Sequence, residues 1–336
     1  MPKTNPKTMK NPKTMKNPKT MPKPKTMPKP KTPNLIVLPD VDDIVHFKSA
    51  GLDKANNDAY NKIRENIITN MFNLDDEYFN DAVYGEEWKT LHEKFNTSIS
   101  TLCETPFSSI HIKHMGGMSY NYDFELTFLD ENGKTIKTVK LEFKHNNSNV
   151  AKLVQFMELY DKDCKNKFDV CSEMSYAEFY YDNYLDKYLE SDDELICEKP
   201  DKDVYLKNVS DIKYSHSFFD LLHKKKDIQI KKKKEIANES VKEYLKLYSS
   251  TFHFDKITEK IKESQTDKVF LMWDCENFHI QELDIKNITI TGIKKMDELS
   301  FDLNVTNFEY DICVRLRWAN NNGLANPSWK FSFITK

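Results

Sequence analysis

Asp123 and Glu142 stand in two short segments, SYNYDFELTF and VKLEFKHN, whose patterns bring the two carboxylates face to face. In Tyr122–Leu129 the even positions Tyr122, Phe124, Leu126 and Phe128 are apolar, with Asp123, Glu125 and Thr127 between them. In Thr135–Lys144 the alternation is reversed: Val139, Leu141 and Phe143 are apolar, and Thr138, Lys140, Glu142 and Lys144 are polar. A period of two marks half-buried strands. Between them Asn132-Gly133 predicts a two-residue type I′ hairpin with both residues at positive φ. With that dipeptide at the tip, Phe124 faces Leu141, Leu126 faces Val139 and Tyr122 faces Phe143. On the other face Asp123 lies opposite Glu142, Glu125 opposite Lys140, and Lys144 one same-face step beyond Glu142. Opposed Cβ atoms are about 4.5–5.5 Å apart, where like charges repel. A hard divalent cation removes that repulsion, because Mg²⁺ is held by one or two carboxylates together with water and phosphate oxygens. On the same grounds, Asp123→Asn or Glu142→Gln should leave stability intact or raised.

The elements around this hairpin follow from periodicity. Tyr60, Ile63, Ile67 and Met71 recur at helical spacing, as do Trp88, Leu91 and Phe95. Strands are expected at Ser108–Lys113, Asn121–Asp130 and Thr135–Lys144. Helices are expected at Val150–Tyr160, around Ser172–Glu190 and at Glu239–Leu247, with residues 190–203 an acidic surface loop. From Lys268 the chain turns β-rich, through VFLMWD, KNITITGI, YDICVRLRW and SWKFSFI. The order predicts a mixed α/β fold. Its core would span about 55–215, followed by a helical and β-rich part over about 216–336.

An aspartate on one strand and Glu-x-Lys on the next, Asp123 with Glu142-Phe143-Lys144, resembles the PD-(D/E)xK, restriction-endonuclease-like nucleases. The order of helix, strand, Asp strand, ExK strand and helix is similar to that family's αβββαβ core with its mixed sheet. The resemblance implies an endonuclease that hydrolyses phosphodiester bonds of nucleic acid, DNA foremost, with Mg²⁺ or Mn²⁺. It implies Asp123 and Glu142 as metal ligands, and Lys144 as the group that activates water or stabilises developing charge. Tyr122 stands where the name-giving proline would be. A first-helix acid, Glu65, and a glutamine after the ExK strand, Gln155, are accessory candidates in such folds. Glu65 points away from the apolar stripe of its helix. The body over residues 55–335, including EFKHN and RLRWANNNGLANPSW, also resembles uncharacterised proteins of large double-stranded-DNA viruses. That second likeness implies the cytoplasm or nucleus of an infected cell, or a virion. The alternative function is a non-catalytic nucleic-acid- or partner-binding protein that retains the fold.

Other constellations are weaker. Glu87-Trp88-Lys89 repeats the ExK spelling on a helical pattern without an upstream strand acid. His111 and His114 fall on opposite faces of one strand, so with His145 they read as surface or supporting residues. Gly116-Gly117 is too short to cradle phosphate, and Asp274 with Glu276 reads as a strand end entering a turn. Arg315 and Arg317 are two of only three arginines, and at i, i+2 they share a strand face. With Trp318 and Asn320–Asn322 they are candidates for gripping a nucleic-acid backbone, since arginine recognises phosphate bidentately. An equal reading pairs them with the acids of the body.

Residues 1–33 hold ten of the 47 lysines, nine of the 13 prolines and no acid, in a six-residue Lys/Pro/Thr period. They read as a disordered cationic tail. Residues 34–336 carry 40 basic and 53 acidic side chains, a net of −13. No apolar run reaches the ~20 residues of a membrane span, and the N-terminus lacks the apolar stretch of a signal peptide. The six cysteines form no CxxC or CxxH pair. They predict neither a zinc module nor a disulfide scaffold, and with the missing signal they point to a reducing, intracellular compartment.

Overall fold

The expected hairpin forms, with a different tip. The structure, a computed structural model, describes residues 37–48, 54–115, 120–151, 153–156, 173–211, 213–318 and 327–336. The Lys/Pro/Thr repeats, Gly116-Gly117, Cys164, Cys171, the expected helix beyond Phe156 and Asn320–Asn322 lie outside the described residues. Strands β1 (Ser109–His114), β2 (Phe124–Leu129) and β3 (Thr135–His145) run antiparallel in sequence order. Phe124 pairs with Leu141 and Leu126 with Val139, as the alternation requires. At the tip only Gly133 has positive φ, 75°. Its N–H bonds Asp130 O at 3.0 Å, and Asp130 Oδ1 accepts from the N–H groups of Asn132 and Lys134 at 2.9 and 2.8 Å. That carboxylate favours a three-residue loop closed by a left-handed glycine over the two-residue type I′ turn. A register shift between Phe128 and Leu129 absorbs the extra residue, so the pairing above it is the one expected from the dipeptide.

Helices α1 (Lys54–Asn70), α2 (Asp76–Asn80) and α3 (Gly85–Ser100) precede the hairpin. Ile67, Ile68, Trp88, Leu91, Phe95 and Ile99 form one core with the apolar faces of β2 and β3. After β3 the chain makes a short strand, β4 (Val154–Phe156), where a helix was expected. Backbone pairing to the last strand of the chain decides this, overriding a helical pattern too short to hold alone. Among the described residues six helices follow: α4 (Tyr176–Asn183), α5 (Leu185–Glu190), α6 (Lys202–Asn208), α7 (Ser217–Lys224), α8 (Ile230–Tyr248) and α9 (Phe254–Gln265). The helix expected around Ser172–Glu190 is broken at Tyr184, whose φ and ψ are −129° and −22°. The acidic 190–203 segment is irregular, yet it is not all surface: Asp192 is buried against Lys233 of α8 at 2.9 Å.

The remaining strands complete two sheets. β5 (Lys268–Trp273) lies parallel to β3, and β6 (Phe278–Glu282) pairs antiparallel with β5, giving the mixed order β1-β2-β3-β5-β6. Both strands come from beyond residue 215. β7 (Thr289–Met296), β8 (Ser300–Thr306), β9 (Tyr310–Trp318) and β10 (Pro327–Thr335) form an antiparallel sheet with β4 at its edge. Phe270 and Met272 of β5 enter a second core with α4–α9 and this sheet, through Tyr180, Tyr244, Ile261, Phe301 and Phe331. β5 is therefore buried on both faces, like the inner strand of a parallel pair. The polar face of β3 emerges beside it. Mixed α/β architecture with a β-rich C-terminal part is what the patterning predicted.

Candidate active site

At the end of the β2–β3 ladder the two acids and the lysine come together. The regular pairing stops at Phe124–Leu141. Beyond it the Asp123 N–H bonds Leu141 O at 2.8 Å, and Asp123 Oδ2 accepts the Phe143 N–H at 2.8 Å. A side chain thus satisfies a strand donor, and the Asp123 carboxylate is drawn onto β3 next to Glu142. Lys144 Nζ forms an ion pair with Glu142 Oε1. Tyr122, expected opposite Phe143 on the apolar face, instead has Lys140 Nζ 5.7 Å from its ring centroid. Lys140 belongs to the polar face of β3, so the irregularity at Asp123 has carried Tyr122 across.

Two accessory candidates also arrive. Gln155 of β4 is buried and accepts from Lys268 Nζ at 3.1 Å through Oε1, and its buried Nε2 has no hydrogen-bond partner among the described residues. Glu65 of α1 lies 3.1 Å from His114 Nε2, and its charge reaches both Asp123 and Lys144. Lys268 itself was not anticipated. Opening an apolar strand, KVFLMW, it reads as a strand boundary. The structure buries its side chain to 3 % exposure, with Nζ 3.5 Å from Glu142 Oε2 and 3.2 Å from Asn121 O. No local signal marks it, because its neighbour Glu142 is reached only through the parallel β3–β5 pairing.

The electrostatics follow from this crowding. Burial, and then the Glu142 charge, push the Asp123 carboxyl up to about 6, against the opposing pull of Lys144 and the Phe143 N–H. Burial pulls the Lys144 ammonium down, but the Glu142 and Asp123 carboxylates outweigh it and raise its pKa. For Lys268 burial wins and the pKa falls, since its contact with Glu142 is longer and Lys144 stands nearby. Among the described residues no group of three or more His, Cys, Asp or Glu side chains is arranged to hold a metal ion. A cation here would take two carboxylates from the protein. That donor set fits a hard divalent ion completed by water and phosphate oxygens.

A pH dependence follows. A carboxyl whose folded pKa lies above its unfolded value holds its proton longer in the native state, so stability falls as pH rises through that interval. For Asp123 the interval runs from near 3.8 to about 6. Wild type without divalent ions is expected to lose roughly 1–3 kcal/mol relative to Asp123→Asn across it. Urea midpoints for both proteins from acid to neutral pH would show this, and parallel curves would refute it.

The arginine cluster does not join the site. Arg315 and Arg317 lie on β9 of the other sheet, with Arg315 exposed. Trp318 is buried in the second core and donates Nε1–H to Tyr176 Oη at 2.8 Å. It is a core residue and offers no face to a nucleic acid. The sequence showed an aromatic beside two arginines, while the helices covering that strand end were invisible locally. Asp274 behaves as the turn residue expected: its carboxylate accepts from Asn277 and Glu276 N–H groups and from His279, which hold it down to about 2. His145 bonds Phe47 O at 3.0 Å, so it and His114 are supporting residues. Cys103, Cys197, Cys275 and Cys313 are free thiols. Among the described residues no helix is long and apolar enough to cross a membrane.

No protein-family model matches the chain, and a search of curated proteins gave no match.

Proposed function

We propose that this chain is a metal-dependent nuclease with a restriction-endonuclease-like core, acting on phosphodiester bonds of nucleic acid, DNA foremost. One observation carries the reading: Asp123, Glu142 and Lys144 converge at the irregular end of a hairpin whose second strand, β3, pairs in parallel with β5. Gln155, bonded to Lys268 beside Glu142, and Glu65, paired with His114 of β1, add to it. Asp123 and Glu142 would hold Mg²⁺ or Mn²⁺, which when bound supplies Lewis-acid polarisation of the phosphate and a more acidic water. Lys144, held by Glu142, would keep an ammonium beside the reacting phosphate, where developing negative charge is stabilised. Lys268 fixes the other oxygen of Glu142 and so orients that carboxylate. The Phe143 N–H fixes Asp123 in the same way.

The test has two parts. Mg²⁺- or Mn²⁺-dependent cleavage of short DNA is expected from wild type. Millimolar Mn²⁺ should also raise the thermal midpoint, because an ion bound only by the native state stabilises it, by about 1.4 kcal/mol at ten times Kd. The Asp123→Asn/Glu142→Gln double variant should lose that response. Equal responses of both proteins, with no cleavage, would favour the alternative of a nucleic-acid- or partner-binding protein that retains the fold.

A further inference from the structure

The polar sheet face beside the carboxylates carries an aromatic and cationic strip that the proposed chemistry leaves unused. Tyr120 is 48 % exposed, and its ring centroid is 5.5 Å from that of Tyr122. Lys140 Nζ lies 5.7 Å from the Tyr122 centroid, and Lys140 alternates with Glu142 and Lys144 along one face of β3. Tyr120 is the exposed member of this group, packed on the buried Tyr122 beside Lys140, which precedes Glu142 on the same face of β3.

The backbone beneath Tyr120 is tied down. Asn121 Nδ2 donates to Ser264 O at 2.7 Å, and Asn121 O accepts from Lys268 Nζ at 3.2 Å. Asp123 is held through Met115 N–H to Asp123 O and Asp123 N–H to Leu141 O, both 2.8 Å. A half-exposed ring thus adjoins residues held on its C-terminal side, three residues from a carboxylate of the candidate metal site. Such a ring loses little freedom when a planar partner lands on it. Every nucleobase has a π-face, so stacking on aromatic side chains next to cations binds single strands with little regard to sequence. A continuous duplex keeps its bases stacked on one another and has no free face to offer.

We infer that Tyr120 is a stacking platform for an unpaired base flanking the scissile phosphate, so that the substrate is single-stranded at the point of cleavage. This rests on the nuclease reading above. Binding of a short oligothymidylate and of a blunt duplex, measured by fluorescence anisotropy without divalent ions, tests it. Tyr120→Ala is expected to weaken single-strand binding by about 5- to 150-fold per base lost, with duplex binding unchanged. Tyr120→Trp should retain it, and an unchanged thermal midpoint would show that the half-exposed site tolerates both changes. An abasic residue walked along the oligonucleotide should find one position where its loss and that of Tyr120→Ala do not add, as contacting groups require. Wild-type single-strand affinity in Tyr120→Ala, or equal weakening toward duplex, would overturn the inference. Cleavage is scored separately. Metal-dependent cleavage that persists with no dependence on Tyr120 sinks this inference alone. Tyr120-dependent binding without any metal-dependent cleavage sinks the nuclease reading and leaves the stacking surface standing.

Discussion

Replacing Asp123 by Asn is expected to lower metal-dependent cleavage on the order of 10³-fold, about 4 kcal/mol at 1.36 kcal/mol per decade, the scale of charge stabilisation that a bound ion supplies. The fold should persist. Asn can keep a carbonyl oxygen toward the Phe143 N–H, which Asp123 Oδ2 meets at 2.8 Å. It also removes a charge that burial and Glu142 oppose, so neutral-pH stability should rise. Glu142→Gln should lower cleavage as much but at a cost in stability. The sequence pattern alone showed only like-charge repulsion, which either change would relieve. In the structure Glu142 is the shared partner of Lys144 and the buried Lys268, and neutralising it strands two ammonium groups. Initial rates in Mg²⁺ and Mn²⁺, with urea midpoints for both variants, test the pair of statements. Asp123→Asn cleaving at the wild-type rate would end the site assignment.

The second large effect lies far from the chemistry. Lys233 and Asp192 form an ion pair at 2.9 Å with both side chains only 1 % exposed. Lys233 Nζ also donates to Lys225 O at 3.0 Å and lies 5.7 Å from the Tyr188 ring centroid. Lys233→Met leaves a carboxylate buried without its counter-charge, and destabilisation of about 3–5 kcal/mol is expected. Changing Asp192→Leu together with Lys233→Met should recover much of it, because a buried pair replaced by apolar groups of similar volume is often neutral. Chemical denaturation of the two proteins measures both numbers. A loss below about 1 kcal/mol for Lys233→Met, the range of an exposed pair, would show that water reaches this site.

These two pairs show where local pattern suffices and where it stops. The β2–β3 hairpin was legible because its information is short-range. Period-two alternation assigns each residue a face, and the opposition of Phe124 with Leu141 and Leu126 with Val139 follows within a couple of dozen residues. The same pattern set Asp123 near Glu142 and Lys144 beyond it. Even here the tip was misread, since Asp130 draws the turn N–H groups to itself, and Tyr122 was placed on the wrong face because alternation cannot foresee where a ladder ends. Lys231–Lys234 is an unbroken run of four lysines, yet the third, Lys233, is buried. A helix turns successive residues by about 100°, so one of four consecutive positions can face inward, and only the packing of α8 against the acidic segment selects Lys233.

Sequence by itself determined the alternating hairpin, the mixed α/β character, the β-rich C-terminal part, and the candidate trio of Asp123, Glu142 and Lys144. All of these depend on neighbours close in the chain. Tertiary structure alone decided that Lys268 and Gln155, 113 residues apart, meet under Glu142. It also decided that Glu65 meets His114 of β1, that Trp318 is core, and that residues 268–273 supply the strand parallel to β3. Each of those outcomes turns on which elements pack together after long stretches of chain. That choice is made by burying apolar faces jointly, and no single segment carries enough apolar surface to express it alone.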